Sequence, residues 1–285
     1  MQKRMIDRIG ACAVEAMLYE VSATPKPGLV DRANNGAHHD MDFFTFMSSA
    51  AALRGSFDAF ARIGVQHQAG PLHEMLPALQ QAGRTAEQQM FALTQGVNTH
   101  KGMIFSLGML AGAAGRLAAQ GETLTAEKLC RSVAALCTGI TAAAYAGIRE
   151  QGQLTKGEAM YLKYGVTGVR GEVENGFPTV RRAGLPVCRE LREKGLAIND
   201  VLVGTLIALI AENQDTNILG RHDLETLQAV QQAAKDVLAL GSVGTEAGRR
   251  AIRSMDEEFI KGYISPGGSA DLVAVTHFLY EMEAV

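Results

Sequence analysis

Residues 102–120 read GMIFSLGMLAGAAGRLAAQ, and this stretch decides the fold class. It has helical rather than alternating periodicity, yet it carries Gly108, Gly112 and Gly115 among its alanines. Each interior glycine costs up to ~1 kcal/mol relative to alanine. A helix that accepts the cost repeatedly is expected to pack closely against a neighbour. Outward from it the same spacing recurs. Ile6, Ile9, Ala13, Ala16 and Met17 make an apolar stripe, stopped by Thr24-Pro25-Lys26-Pro27-Gly28. A helix capped by Asp40 or Asp42 runs through Phe43, Phe46, Met47, Ala50, Leu53 and Phe57. Further helices are predicted over 72–82, 85–95, 125–150, 155–163, 178–194, 200–213, 223–240, 245–262 and 269–283. Alternating strand-length runs with hairpin turns are absent, and no glycine-rich turn follows a strand. The expected fold class is all-α: a single multi-helix domain over residues 1–285, with its active site built from interhelical loops.

Of the 285 residues 47% are hydrophobic and 20% charged, with a net charge of −3, the profile of an ordinary globular protein. Bulk basicity that would point to nucleic acid is lacking. The N-terminus breaks its basic run with Asp7 and carries no signal-peptide core, so secretion is not expected. The apolar runs around 201–211 and 140–148 fall short of the ~20 residues of a membrane span. Cys12, Cys130, Cys137 and Cys188 form no CxxC pair and read as small buried residues, which together with the rest predicts a cytoplasmic protein.

Five loop regions combine a glycine or proline with charged and amide side chains, and they read as walls of one site. The first, residues 25–42, offers Lys26 and Arg32 as cations and Asp31, Asp40 and Asp42 as carboxylates, although Asp40 and Asp42 also suit helix capping. The second, Asn98-Thr99-His100-Lys101-Gly102, opens a helix whose first N–H groups, with Lys101, suit an anion; His100 fits either ligand contact or capping. In the third, Thr155 and Glu158 match a capping box. The fourth, residues 168–178, alternates Arg170, Glu172 and Glu174 among glycines, which can aim a guanidinium and two carboxylates into a pocket. The fifth joins Asp215, Asn217 and Arg221 to Ser265, Gly267, Gly268 and Ser269; Ser269 is expected to cap the last helix, and the glycine pair to form a second phosphate-binding helix start. Asp271 suits the first-turn dipole without any function. This inventory fits a polyphosphate-binding enzyme without a P-loop, since no GxxxxGK[ST] is present.

The stretches PKPGLVDRANNGAHHDMD, NTHKGMIFSLG, GVRGEVENGFP, DTNILGR and SPGGSADLVAVTHFL, spread from residue 25 to 279, resemble the triphosphoribosyl-dephospho-coenzyme A synthase family. That family serves citrate lyase and, in a sister branch, malonate decarboxylase. The resemblance implies that ATP and 3′-dephospho-coenzyme A are joined to give 2′-(5″-triphosphoribosyl)-3′-dephospho-coenzyme A and adenine, and that a separate holo-acyl-carrier transferase uses the product. The change from a β-nucleoside to an α linkage fits one inverting attack at the anomeric carbon by the acceptor 2′-hydroxyl. Such an attack needs a base, a proton source for adenine and nearby negative charge.

On this resemblance Lys26, Lys101 and Arg170 are assigned to phosphates. Arg32, Asn98, His100, Asn217, Arg221, Ser265, Gly267, Gly268 and Ser269 complete the substrate-binding set. Asp40, Asp42, Glu172 and Glu174 are assigned to Mg²⁺, and Asp40, Glu172 and Glu174 also to proton transfer, with Asp31 as the first alternative base. Two rival readings fit the same inventory: a Mg²⁺-dependent helical hydrolase of nucleotides or ADP-ribose, and a coenzyme A-binding module without catalysis. The expected partners are small-molecule substrates and, through the product, the downstream transferase, with neither nucleic acid nor membrane. The sequence leaves assembly into a homo-oligomer open.

Overall fold

A computed structural model describes residues 2–146, 154 and 156–284. Among these residues every regular element is helical, as the periodicity predicts. The N-terminal half contains α1 (Gln2–Ser22), α2 (Phe43–Ala52), α3 (Arg54–Gln66), α4 (Leu72–Leu93), α5 (Lys101–Ala119), α6 (Ala126–Leu136) and α7 (Ile140–Tyr145). The remainder contains α8 (Lys156–Tyr164), α9 (Gly168–Glu174), α10 (Leu185–Glu193), α11 (Ile198–Glu212), α12 (Thr216–Arg221), α13 (Leu224–Ala239), α14 (Glu246–Lys261) and α15 (Gly267–Met282).

The glycine-bearing helix is the hub. α5 packs most extensively on α3, and also on α1, α4, α6 and α15. A Cβ on Gly64 of α3 would stand 1.9 Å from the Gly112 carbonyl oxygen, and one on Gly115 would stand 2.1 Å from that of Ala61. The α3 and α5 backbones therefore touch, which only residues without a side chain allow. α5 is also long and apolar enough to cross a membrane, a feature the shorter runs at 201–211 and 140–148 did not bring out; 67% of its apolar window is buried in the core. α11, α13 and α10 form a second layer, joined to the first through α15 and α1.

Several boundaries differ from expectation. The segments expected as 72–82 and 85–95 are one helix, because buried Met75, Leu79, Ala86 and Met90 keep one face in phase across Gly83. The helix expected from residue 43 to 57 breaks at Leu53 into α2 and α3. The one expected over 125–150 ends α6 at Leu136 and restarts at Ile140 after left-handed Gly139 (φ 84°), while 147–150 lie outside the described residues. The capping box expected at Thr155 and Glu158 also involves a residue outside them. Two stretches read as loops, around Arg170 and around Asn217, are the short helices α9 and α12. All four cysteines are free and buried, and burial pushes the Cys130 and Cys137 thiols up to about 12.

Candidate active site

The start of α5, the start of α15, α9, α12 and the loop after α1 surround one cavity of about 880 Å³. That volume lies near the upper end for small-molecule sites. Of the residues singled out from sequence, Lys26, Asp40, Asn98, Lys101, Arg170, Glu172, Asn217, Arg221, Ser265, Gly267 and Gly268 line it. Asp31, Arg32, Asp42, His100, Glu174 and Ser269 do not.

The loop after α1 is locked in place by Asp31. One carboxylate oxygen accepts from Thr24 Oγ1 (2.6 Å) and the Lys26 N–H (3.1 Å), the other from the N–H groups of Ala33 (2.6 Å) and Asn34 (3.0 Å). Gly28 adopts φ 69°, and its N–H donates to Asp256 at 3.0 Å. The result is to turn Lys26 inward, where its ammonium touches the Glu20 carboxylate; both residues are 2% exposed. Burial raises the Glu20 pKa against the pull of Lys26. Arg32 instead points out and donates to Asn199 at 2.8 Å.

At the α5 start, Asn98 Oδ1 accepts from the Lys101 N–H at 3.1 Å, and the Lys101 ammonium lies 3.0 Å from Glu87. His100 is fully buried beneath this turn. Its Nδ1 is 2.9 Å from Ser49 Oγ, and burial, then Lys26, lowers its pKa to about 3. It supports the wall as a neutral ring.

The carboxylates expected to share a metal do not converge. Asp42 caps α2, accepting from the Thr45 N–H (2.8 Å) and hydroxyl (2.7 Å), which lower its pKa. Glu174 accepts from the N–H groups of Gly139 (2.6 Å) and Thr141 (3.1 Å) at the start of α7. The α9 turn is helical, so alternation does not aim Arg170, Glu172 and Glu174 together. Glu172 lines the cavity while accepting from Thr179 Oγ1 at 2.6 Å, and burial raises its pKa. Among the described residues no three of His, Cys, Asp and Glu form a metal-binding group. The described side chains thus do not fit a protein-built Mg²⁺ cage.

The glycine pair at the α15 start is also not an open phosphate cradle. The buried Asp215 carboxylate takes the N–H groups of Gly268 (3.3 Å) and Ser269 (2.8 Å), the Ser269 hydroxyl (3.0 Å) and the Asn217 N–H (2.9 Å). α15 begins at Gly267, so Ser269 sits in its first turn and caps nothing. Asp215 fills the anion position itself, by the affinity of a helix start for negative charge.

Among the cavity residues that sequence reading missed or assigned no site role, four bear on its chemistry. Glu20 was detectable: it continues the Ile9, Ala13, Ala16, Met17 stripe with a charge on a buried face. Arg84 comes from the middle of α4, where nothing local marks it. His38 lies within a stretch already singled out; its Nε2 is 2.8 Å from Ser265 Oγ and its Nδ1 3.8 Å from Asp40. Burial, then Arg221, lowers its pKa and keeps the imidazole neutral. Asp271, read as a dipole partner, has its carboxylate against Gly102, where a Cβ would come within 1.9 Å of Oδ2.

The cavity therefore presents guanidinium groups of Arg84, Arg170 and Arg221 that form no ion pair among the described residues, Arg84 donating instead to Gln81 Oε1, beside the carboxyl groups of Asp40, Glu172 and Asp271. The family described as ATP:dephospho-CoA triphosphoribosyl transferase matches residues 6–285. The chain belongs to this family. A 2-(5″-triphosphoribosyl)-3′-dephosphocoenzyme-A synthase of Klebsiella pneumoniae is 44% identical to this transferase over 268 residues, covering 94% of the chain and 88% of that protein. The protein of the same name from Pectobacterium atrosepticum is 43% identical over 270 residues, covering 93% and 86%. A probable synthase of Vibrio cholerae is 40% identical over 274 residues, covering 96% and 88%. No solved structure matches the transferase.

Proposed function

We propose that this chain transfers the 5-triphosphoribosyl group of ATP to the 2′-hydroxyl of 3′-dephospho-coenzyme A, releasing adenine. The observation that carries the reading is the set of guanidinium groups with no ion pair among the described residues, Arg84, Arg170 and Arg221, in the same cavity as the acids Asp40, Glu172 and Asp271. The reaction keeps the triphosphate intact, so its residues need to hold phosphates without activating them, which planar cationic forks do well. Lys26 and Lys101 already have the carboxylate partners Glu20 and Glu87, so they contribute to the cavity as fixed ion pairs.

His38 is the proposed acceptor of the hydroxyl proton. Its neutral ring faces Ser265 Oγ on one side and Asp40 on the other. The serine hydroxyl can relay the proton to Nε2, and Asp40 then steadies the imidazolium. Mg²⁺ enters this reading only as the counter-ion carried by the triphosphate, a role that needs few protein ligands. The reaction belongs in a cytoplasmic setting, with free cysteines, and its product would pass to a holo-acyl-carrier transferase serving citrate lyase or malonate decarboxylase.

Mass spectrometry of the protein incubated with ATP, Mg²⁺ and 3′-dephospho-coenzyme A, each omitted in turn, tests the reading. A triphosphoribosyl adduct and free adenine, both dependent on the acceptor, are expected. Adenine, ADP or AMP formed without acceptor would replace transfer by hydrolysis, and binding without turnover would leave a coenzyme A-binding module.

A further inference from the structure

Displacement of adenine leaves a chemical requirement that the hydroxyl base does not meet. Breaking the C1′–N9 bond places an electron pair on the purine, and an unprotonated adenine anion is a poor leaving group. A proton donor must therefore face the base. It has to be a group that holds its proton near neutral pH and has no competing partner.

Resting on the transfer reading above, we infer that Asp271 is the catalytic residue that protonates the departing adenine. Its carboxyl lines the cavity from the first turn of α15. It makes no hydrogen bond and no ion pair among the described residues. The carboxyl is partly open to the cavity, so a ligand entering there meets an acid that no side chain or backbone group among the described residues has engaged. The site is also shaped around it, since Gly102 at the start of α5 is the one residue type that leaves room for Oδ2. Its charged surroundings favour the acid form. Glu20, from α1, and Asp215, ahead of α12, both press on it with negative charge, and the nearby Lys26 ammonium is already committed to Glu20. Burial comes first among the causes that hold its pKa well above the usual carboxylate range.

The step balances. The acceptor 2′-oxygen forms a bond to C1′ and its proton passes through Ser265 to His38. The C1′–N9 electron pair goes to adenine, and a purine ring nitrogen takes the proton of Asp271. Exchange with solvent afterwards returns a proton to Asp271 and removes one from His38.

The test uses Asp271→Asn with two donors, ATP and 7-methyl-ATP, whose quaternised purine leaves without being protonated. With ATP the variant should release adenine ~10²–10⁴-fold more slowly than the parent protein. With 7-methyl-ATP it should turn over within a few-fold of the parent, and that recovery also shows that the variant is folded and binds both substrates. Unchanged turnover of ATP, or an equal loss on both donors, would overturn the assignment. If the parent protein itself releases no adenine in the presence of acceptor, the transfer reading fails first and this one falls with it.

Discussion

Replacing Gly102 by alanine should uncouple stability from catalysis. The added methyl would meet Asp271 Oδ2 at 1.9 Å, so the carboxyl must retreat by roughly 1.5 Å to reach ordinary contact. The obstacle is the end of a side chain rather than backbone, so the helix itself is spared. Alanine in α5 should even add up to ~1 kcal/mol of helix propensity. Displacing a reacting group by about 1 Å typically costs ~10²-fold in rate, or ~2.7 kcal/mol of barrier. The expectation is a thermal midpoint held or raised, with adenine release from ATP about a hundredfold slower. Circular dichroism melts and initial rates of adenine release on the same preparations measure the two quantities. The double variant with Asp271→Asn separates a displaced acid from a methyl that simply blocks substrate. If both changes act through one carboxyl, the pair is no slower than Asp271→Asn alone. A Gly102→Ala protein with full turnover would refute the reasoning.

Lys26→Met should strand the buried Glu20 carboxylate and lower the free energy of unfolding in urea by about 3–5 kcal/mol, and adding Glu20→Gln should restore most of it; no rescue by the double variant would argue against a tight pair. His100 and His277 have folded pKa values lowered to about 3 and about 4, below the ordinary 6.5. Their stabilising effect is complete above pH 6.5 and is lost progressively as the pH falls toward those values, because the unfolded chain takes up protons that the fold refuses, by at most ~1.4 kcal/mol per pH unit for each ring. Urea midpoints between pH 7 and 5 should fall accordingly, and His100→Phe should flatten the slope even though it loses the Ser49 contact. Gly115→Ala should destabilise by ~1–3 kcal/mol in the same assay, since its Cβ would stand 2.1 Å from the Ala61 carbonyl oxygen, which cannot swing away; an unchanged midpoint would mean that α3 and α5 can move apart freely.

The architecture was legible because burying an apolar face leaves a periodic trace. The α1 stripe and the three glycines of α5 announced their helices and, in the glycines, a close neighbour. The loop segments around the cavity were legible for a different reason, since glycine and proline beside charge have few other uses. What local pattern could not supply was the partner of each charge. Asp31, Asp42, Glu172 and Glu174 look like Asp40 in sequence, but backbone N–H groups and hydroxyls brought to them by the fold occupy their oxygens. Asp271 presents the opposite case. In sequence it is an unremarkable first-turn acid, and only the absence of a partner among the described residues sets it apart. Asp215 likewise gave no sign that it would fill the helix start offered by Gly268 and Ser269 from 53 and 54 residues away.

The backbone contact between α3 and α5 also sets how the cavity can adapt. Two helices meeting carbonyl against Cα have no side-chain layer between them to compress, so the wall bearing Lys101 and Gly102 behaves as a stiff anvil. α8 and α12, by contrast, rest on fewer neighbours, and α8 leans chiefly on α12. Compliance toward a bulky ligand is therefore expected of the wall carrying Gly157, Asn217 and Arg221, opposite the side built on α3 and α5.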